Sequence, residues 1–134
     1  MVLSLFTVNV WAVLAAGVAY FVTGAVWYGV FAEPWMAGIG KTRDQLQSRP
    51  IDYVVSLICE IGVAYGVAVG LNAFAATGVA EAIFVATVLW FAFSLLPAIV
   101  HYAYEERRLS LLLINKGYDL VGMVAAAVIL SVWV

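Results

Sequence analysis

Two acidic side chains stand where charge is costly. Glu60 and Asp119 each lie within a long apolar stretch of a 134-residue chain. A carboxylate at the centre of a membrane helix costs at least about 2.5–3.5 kcal/mol, so it pairs, reaches water or takes up a proton. The chemistry such a group offers is binding or exchange of a cation or a proton. Asn115, Lys116 and Tyr118 come just before Asp119 in sequence. A purely structural alternative is open for both acids. Glu60 would be paired with Lys116 or hydrogen-bonded to Tyr118, and Asn115 and Lys116 would satisfy Asp119 within its own helix.

His101 and Glu105 are four residues apart, a spacing that puts two ligands on one helix face. With Glu60 and Asp119 they suggest a carboxylate-rich metal site. An interfacial histidine bonded to a tyrosine or a headgroup explains the same residue, and no metal is assigned. Ser94 and Ser110 have neither a nucleophile-elbow context nor a recognisable triad, so no catalytic residue is assigned and an enzyme ranks below the non-enzymatic readings. Cys59 is the single cysteine, which excludes an intrachain disulfide and a Cys-x-x-Cys centre and argues against a four-helix thiol oxidoreductase of the membrane. No cofactor is expected.

The elements that must hold these groups follow from composition. The chain is 66% hydrophobic and 10% charged, with a mean hydropathy of +1.09. Average soluble domains are about 45–50% apolar and about 25% charged, so this is an integral membrane protein. The expected fold is all-α, a bundle of four transmembrane helices in one membrane domain over 1–134. The helices fall at about 6–31, 51–75, 79–104 and 109–134, with a polar loop over 32–50. No lysine or arginine precedes Lys41, and the first apolar run outlasts a signal-peptide core, so it reads as a retained helix.

Within the loop, Thr42 and Gln45 have capping-box spacing for a short surface helix. The second helix carries Gly62, Gly66 and Gly70, a doubled Gly-x-x-x-Gly suited to close helix packing within the chain or between copies. Glu60 lies about 200° around that helix from Gly62 at 100° per residue. Pro97 is expected to kink the third helix, where Trp90, Ser94, Pro97, His101 and Tyr104 are spaced to share a face. The fourth helix must start near Leu109, because 120–134 offers only about 15 residues against the ~20 a span requires. That draws Asn115, Lys116, Tyr118 and Asp119 into the membrane.

All six basic residues lie in or beside the first and third loops: Lys41, Arg43, Arg49, Arg107, Arg108 and Lys116. The positive-inside rule therefore predicts those loops in the cytoplasm and both termini outside, in a cytoplasmic (inner) membrane. Trp27, Tyr28, Trp35, Tyr102 and Tyr104 gather at the same side. An interfacial aromatic belt accounts for them. The sharper reading is an aromatic-walled pocket open to the cytoplasm, with Glu60, Asn115 and Asp119 as its polar floor.

Several segments together resemble a known family. They are Asn9 with the Ala-rich stretch to Ala16, Gly24-Ala-Val-Trp27-Tyr28, Trp35 with its glycine-bearing loop, Glu105-Glu-Arg-Arg-Leu, and Ile114-Asn-Lys-Gly-Tyr-Asp-Leu-Val. In this order they resemble the bacterial membrane proteins catalogued as domain of unknown function 1761. The resemblance implies a four-helix membrane protein and supplies no activity and no catalytic residue.

The leading expectation is a transporter or binder of a small cationic or amphipathic molecule. Its intramembrane carboxylate site would lie between the second, third and fourth helices, with Glu60, Asp119, Asn115, Tyr118, His101, Trp27 and Tyr28 as candidate residues. The alternative is an accessory subunit packed on a larger membrane complex, and a lipid-modifying enzyme is third. The lipid bilayer is the expected partner, with a homo-oligomer or larger complex beside it and no nucleic acid.

Overall fold

The computed structural model describes residues 2–133, so Met1 and Val134, the ends of the expected domain and of its fourth helix, lie outside it. A 3-10 turn at Val2–Phe6 leads to α1 (Val10–Val30), followed by the short α2 (Ala32–Ile39) and a second 3-10 turn at Arg43–Gln45. Then come α3 (Pro50–Ala73), α4 (Gly78–Trp90), a π-helical turn at Phe91–Leu95, α5 (Leu96–Tyr104) and α6 (Leu109–Val132). α4, the π turn and α5 are continuous and form one span, Gly78–Tyr104, so among the described residues four helices are long and apolar enough to cross a membrane. No strand occurs among the described residues. The fold is an all-α, multi-pass membrane bundle.

Local chemistry sets the helix ends. Asn9 caps α1, its Oδ1 accepting from the Trp11 and Ala12 backbone N–H groups at 3.1 and 3.2 Å. Residues 6–8, expected in the first helix, lie ahead of this cap. Gly40 closes α2 in the left-handed conformation (φ 71°), which a glycine adopts without the steric penalty of a side chain. In the loop beyond, Gln45 Oε1 accepts from the Thr42 backbone N–H at 2.9 Å. Pro50 opens α3, where its missing donor is not needed.

α6 is the hub. It packs along α1 and α4, and also meets α2, α3 and α5, while α1 packs along α3. Small residues permit the approach: Ala16, Ala64, Ala86, Ala126 and Ala127 are fully buried. Outward faces are aliphatic or aromatic, as in the exposed series Val18, Val22, Val26 and Val30 on α1. Such a surface suits lipid rather than water.

Pro97 takes a different form from a simple kink. A proline lacks the donor for its i−4 carbonyl and its ring crowds that oxygen. Here the helix widens just upstream into the π turn, where the Leu96 N–H bonds Phe91 O five residues back. The wider turn shifts the inward face: Trp90 and Ser94 bond α6, and Ala98 and Tyr102 are buried, while Pro97, His101 and Tyr104 are exposed. The single face expected for Trp90, Ser94, Pro97, His101 and Tyr104 is therefore split by the π turn.

Candidate functional site

α1 and α6 hold one another through aromatic rings laid over glycines. Tyr20, Gly24 and Trp27 recur on one side of α1 at helical spacing. A Cβ built on Gly122 of α6 would stand 2.6 Å from the Tyr20 ring, and one on Gly117 would stand 3.0 Å from the Trp27 indole. In the reverse direction, Tyr118 of α6 covers Gly24 of α1. This seats three ring systems in the bundle interior, with Tyr20 and Tyr118 edge to face at 5.1 Å. Tyr28 meets Tyr118 at 5.3 Å and Trp35 at 5.6 Å.

Asp119 is fully partnered. Its Oδ1 accepts from the Tyr20 hydroxyl at 2.5 Å. Its Oδ2 accepts from Lys116 Nζ at 2.9 Å and from the Ser94 hydroxyl at 3.4 Å. Lys116 also reaches Ser94 Oγ at 3.3 Å, so the π turn supplies the third partner of an internal ion pair. Of the two residues expected to satisfy Asp119 from its own helix, Lys116 does so and Asn115 does not. With Tyr20 and Ser94, Asp119 forms the polar part of a largely apolar cavity of about 420 Å³ between α3, α4 and α6.

Glu60 has a different environment. Its Oε1 accepts a short hydrogen bond from the Tyr118 hydroxyl. Its Oε2 is buried and is the one buried side-chain oxygen or nitrogen without a hydrogen-bond partner among the described residues. Among the described residues no cation pairs with it, and Lys116 is committed to Asp119. Glu60 lines a second cavity of about 420 Å³, bounded by Gly24 and Tyr28 of α1, Tyr53 and Ser56 of α3, and Tyr118. Tyr53, Ser56 and Glu60 share a face at i, i+3 and i+7. Both carboxylates lie ten residues into their helices, about 15 Å along the axis at 1.5 Å per residue.

The remaining candidates divide. Tyr28 donates to Asn115 Oδ1 at 2.7 Å, and Asn115 Nδ2 donates to the Tyr102 hydroxyl at 2.8 Å, so one amide ties α1 and α5 to α6. The Arg107 guanidinium covers the Tyr102 ring at 4.1 Å. Trp27 Nε1 donates to Ile114 O at 2.9 Å, which makes it a clamp on α6; its indole lies outside the Glu60 cavity. His101 is exposed and lines neither acid's cavity, and no group of three metal-ligating side chains occurs among the described residues. The Gly-x-x-x-Gly series is also divided. Gly70 meets Leu89, whereas Gly62 and Gly66 have nothing within 4 Å of an added Cβ.

The single pocket with Glu60, Asn115 and Asp119 as its floor therefore resolves into two cavities with one acid each, and Asn115 lines neither. Tyr20, Tyr53, Ser56 and Ser94 join the site without having been singled out for it. Their signal was present: hydroxyl-bearing side chains at helical spacing on otherwise aliphatic helices.

Comparisons with known proteins give one positive result. A family model described as "Protein of unknown function (DUF1761)" matches residues 11–131. No curated protein and no solved structure matches the chain.

Proposed function

We infer the function of this chain, which belongs to the DUF1761 family, from its own side chains: it binds a small cationic or amphipathic molecule at Glu60, as a transporter or binder. One observation carries the reading. Glu60 is a membrane-embedded carboxylate with no cation beside it, an unpartnered oxygen, and a cavity walled by Tyr28, Tyr53 and Tyr118. Tyrosine faces attract cations, and the volume suits a small organic molecule. Asp119 does not compete for this role, since Lys116 already neutralises it.

The site opens toward the cytoplasm in this reading, because loops 1 and 3 hold the basic residues and Glu60 lies about 15 Å from the loop-1 end of α3. The membrane is then the inner membrane, with both termini outside. The test is uptake of radiolabelled 2-phenylethylammonium, a small amphipathic cation, into vesicles carrying the reconstituted protein, measured above protein-free vesicles. Glu60→Gln abolishes uptake at every pH; unchanged uptake in that variant would end the proposal.

A second reading rests on the bare backbone of Gly62 and Gly66, which are exposed and have nothing within 4 Å of an added Cβ. Exposed small residues on a membrane helix favour a close-packed partner, either a second copy or a larger membrane complex. A partner recovered in fixed stoichiometry from mild detergent supports it, and a monomer that retains uptake removes it.

A further inference from the structure

We propose that the Glu60 cavity takes an organic ammonium bearing at least two N–H donors, and that this ammonium binds by displacing the Tyr118 hydroxyl from the carboxylate. The proposal rests on the Glu60 reading above and names its ligand class and its internal competitor.

The donor count comes first. Tyr118 has one hydroxyl proton and satisfies Oε1 alone, leaving Oε2 buried and unbonded. A primary ammonium carries three donors, so it satisfies both oxygens and neutralises the charge at once. A hydrogen bond to an ionised partner is roughly twice as strong as one between neutral groups. The Tyr118 bond already has that advantage from the carboxylate side. An ammonium adds the opposite charge and donors for both oxygens, so the exchange favours the ligand, provided the carboxylate turns into the cavity it already lines.

The walls select against bare ions. A hard metal cation needs six or more oxygen ligands or retains its waters. This cavity offers one carboxylate, and two of its hydroxyls are engaged, Tyr28 with Asn115 and Tyr118 with Glu60. Beyond these it adds only the Tyr53 and Ser56 hydroxyls, still short of six oxygen ligands, and aromatic surface from Phe21, Tyr28, Tyr53 and Tyr118. That surface suits a ligand with an apolar body behind its charge.

Displacement also has a destination. Tyr118 lines the same cavity as Glu60, so its freed hydroxyl stays in a polar setting. Its ring is braced by Gly24, Tyr20 and Tyr28, which keeps the hydroxyl close enough to reclaim Glu60 when the ligand leaves.

The experiment titrates the full chain in lipid nanodiscs by calorimetry, with 2-phenylethylammonium, its N,N,N-trimethyl counterpart and sodium chloride. The primary ammonium binds, the trimethyl form binds at least about tenfold more weakly, and sodium at equal concentration does not compete. Glu60→Gln loses primary-ammonium binding by about 10- to 100-fold. Tyr118→Phe keeps the ring but removes the competitor, so it tightens binding by about tenfold. If Tyr118→Phe weakens binding or leaves it unchanged, or the trimethyl form binds equally well, displacement is overturned, while the Glu60 site stands as long as Glu60→Gln still abolishes binding. If Glu60→Gln binds like wild type, the site itself is lost. Failure of the wild type to bind the primary ammonium overturns the ligand class. The comparison of the two ammoniums on wild type decides the matter even if a variant does not fold.

Discussion

The Tyr118 ring lies directly on the backbone of Gly24, where an added Cβ would stand 3.0 Å from Cε1 and 3.1 Å from Cζ and the hydroxyl oxygen. This contact joins packing to the site, because the same hydroxyl bonds Glu60. Gly24, Gly117 and Gly122 thus mark the seats of rings, while Gly17 and Gly70 admit Ile61 and Leu89. Their substitution should be graded by what the new methyl meets.

Gly17→Ala and Gly122→Ala are expected to be the most damaging of the series. A Cβ at Gly17 would lie 2.7 Å from the Ile61 backbone, and one at Gly122 would lie 2.6 Å from Tyr20. Overpacking of this kind costs about 1–3 kcal/mol. Gly24→Ala is milder in stability but moves Tyr118, and Gly62→Ala stays within about 0.5 kcal/mol. Melting temperatures in one detergent check the order, and a Gly62 variant less stable than the Gly122 variant would refute it.

Lys116 and Asp119 should behave as a unit. They are bonded at 2.9 Å with about a fifth of each side chain exposed. Removing one partner of a buried pair leaves an uncompensated charge and costs about 3–5 kcal/mol. Lys116→Met alone is therefore expected to be worse than Lys116→Met combined with Asp119→Leu. Tyr20 and Ser94 lose their acceptor in the double variant, which limits the recovery. Additive losses in a double-mutant cycle would contradict the coupling.

Asn115 is expected to be structural. Asn115→Leu strands the Tyr28 hydroxyl and removes the donor to Tyr102, at about 1–3 kcal/mol for each buried group left unpaired. Asn115→Asp retains the acceptor for Tyr28 and should lose less. Denaturation of both variants beside wild type tests this. Equal stability of Asn115→Leu and wild type would mean that the amide ties nothing.

How much of this was legible in the sequence differs by level. The four-span bundle follows from hydropathy and length, since few other folds accommodate 66% apolar residues in 134. The depth of Asn115, Lys116, Tyr118 and Asp119 follows from the same arithmetic. Pairing was not legible. Lys116 stands near in sequence to Asp119 and was an equal candidate for Glu60, and only the packed helices assign it. The glycine signal was legible only in part for a related reason: Gly62, Gly66 and Gly70 form a visible period within one helix, but of these only Gly70 meets a neighbour within the chain. Gly24, Gly117 and Gly122 are isolated and matter through rings on the opposite helix. The π turn at Phe91–Leu95 was hidden as well, because Pro97 announces a disturbance but not its form.

Glu60→Gln separates the site from the fold. The glutamine has the same shape, and its oxygen can still accept from Tyr118, so the packing around Gly24 should persist. It also removes the possibility of a charge on an oxygen that has no partner in the interior. A buried charge is costly, and binding groups commonly reduce the stability of the proteins that carry them. The variant is thus expected to melt no lower than wild type while losing ammonium binding. Thermal denaturation and calorimetry on the same preparation measure both. A variant that unfolds well below wild type would make Glu60 a packing residue and remove the argument for a ligand.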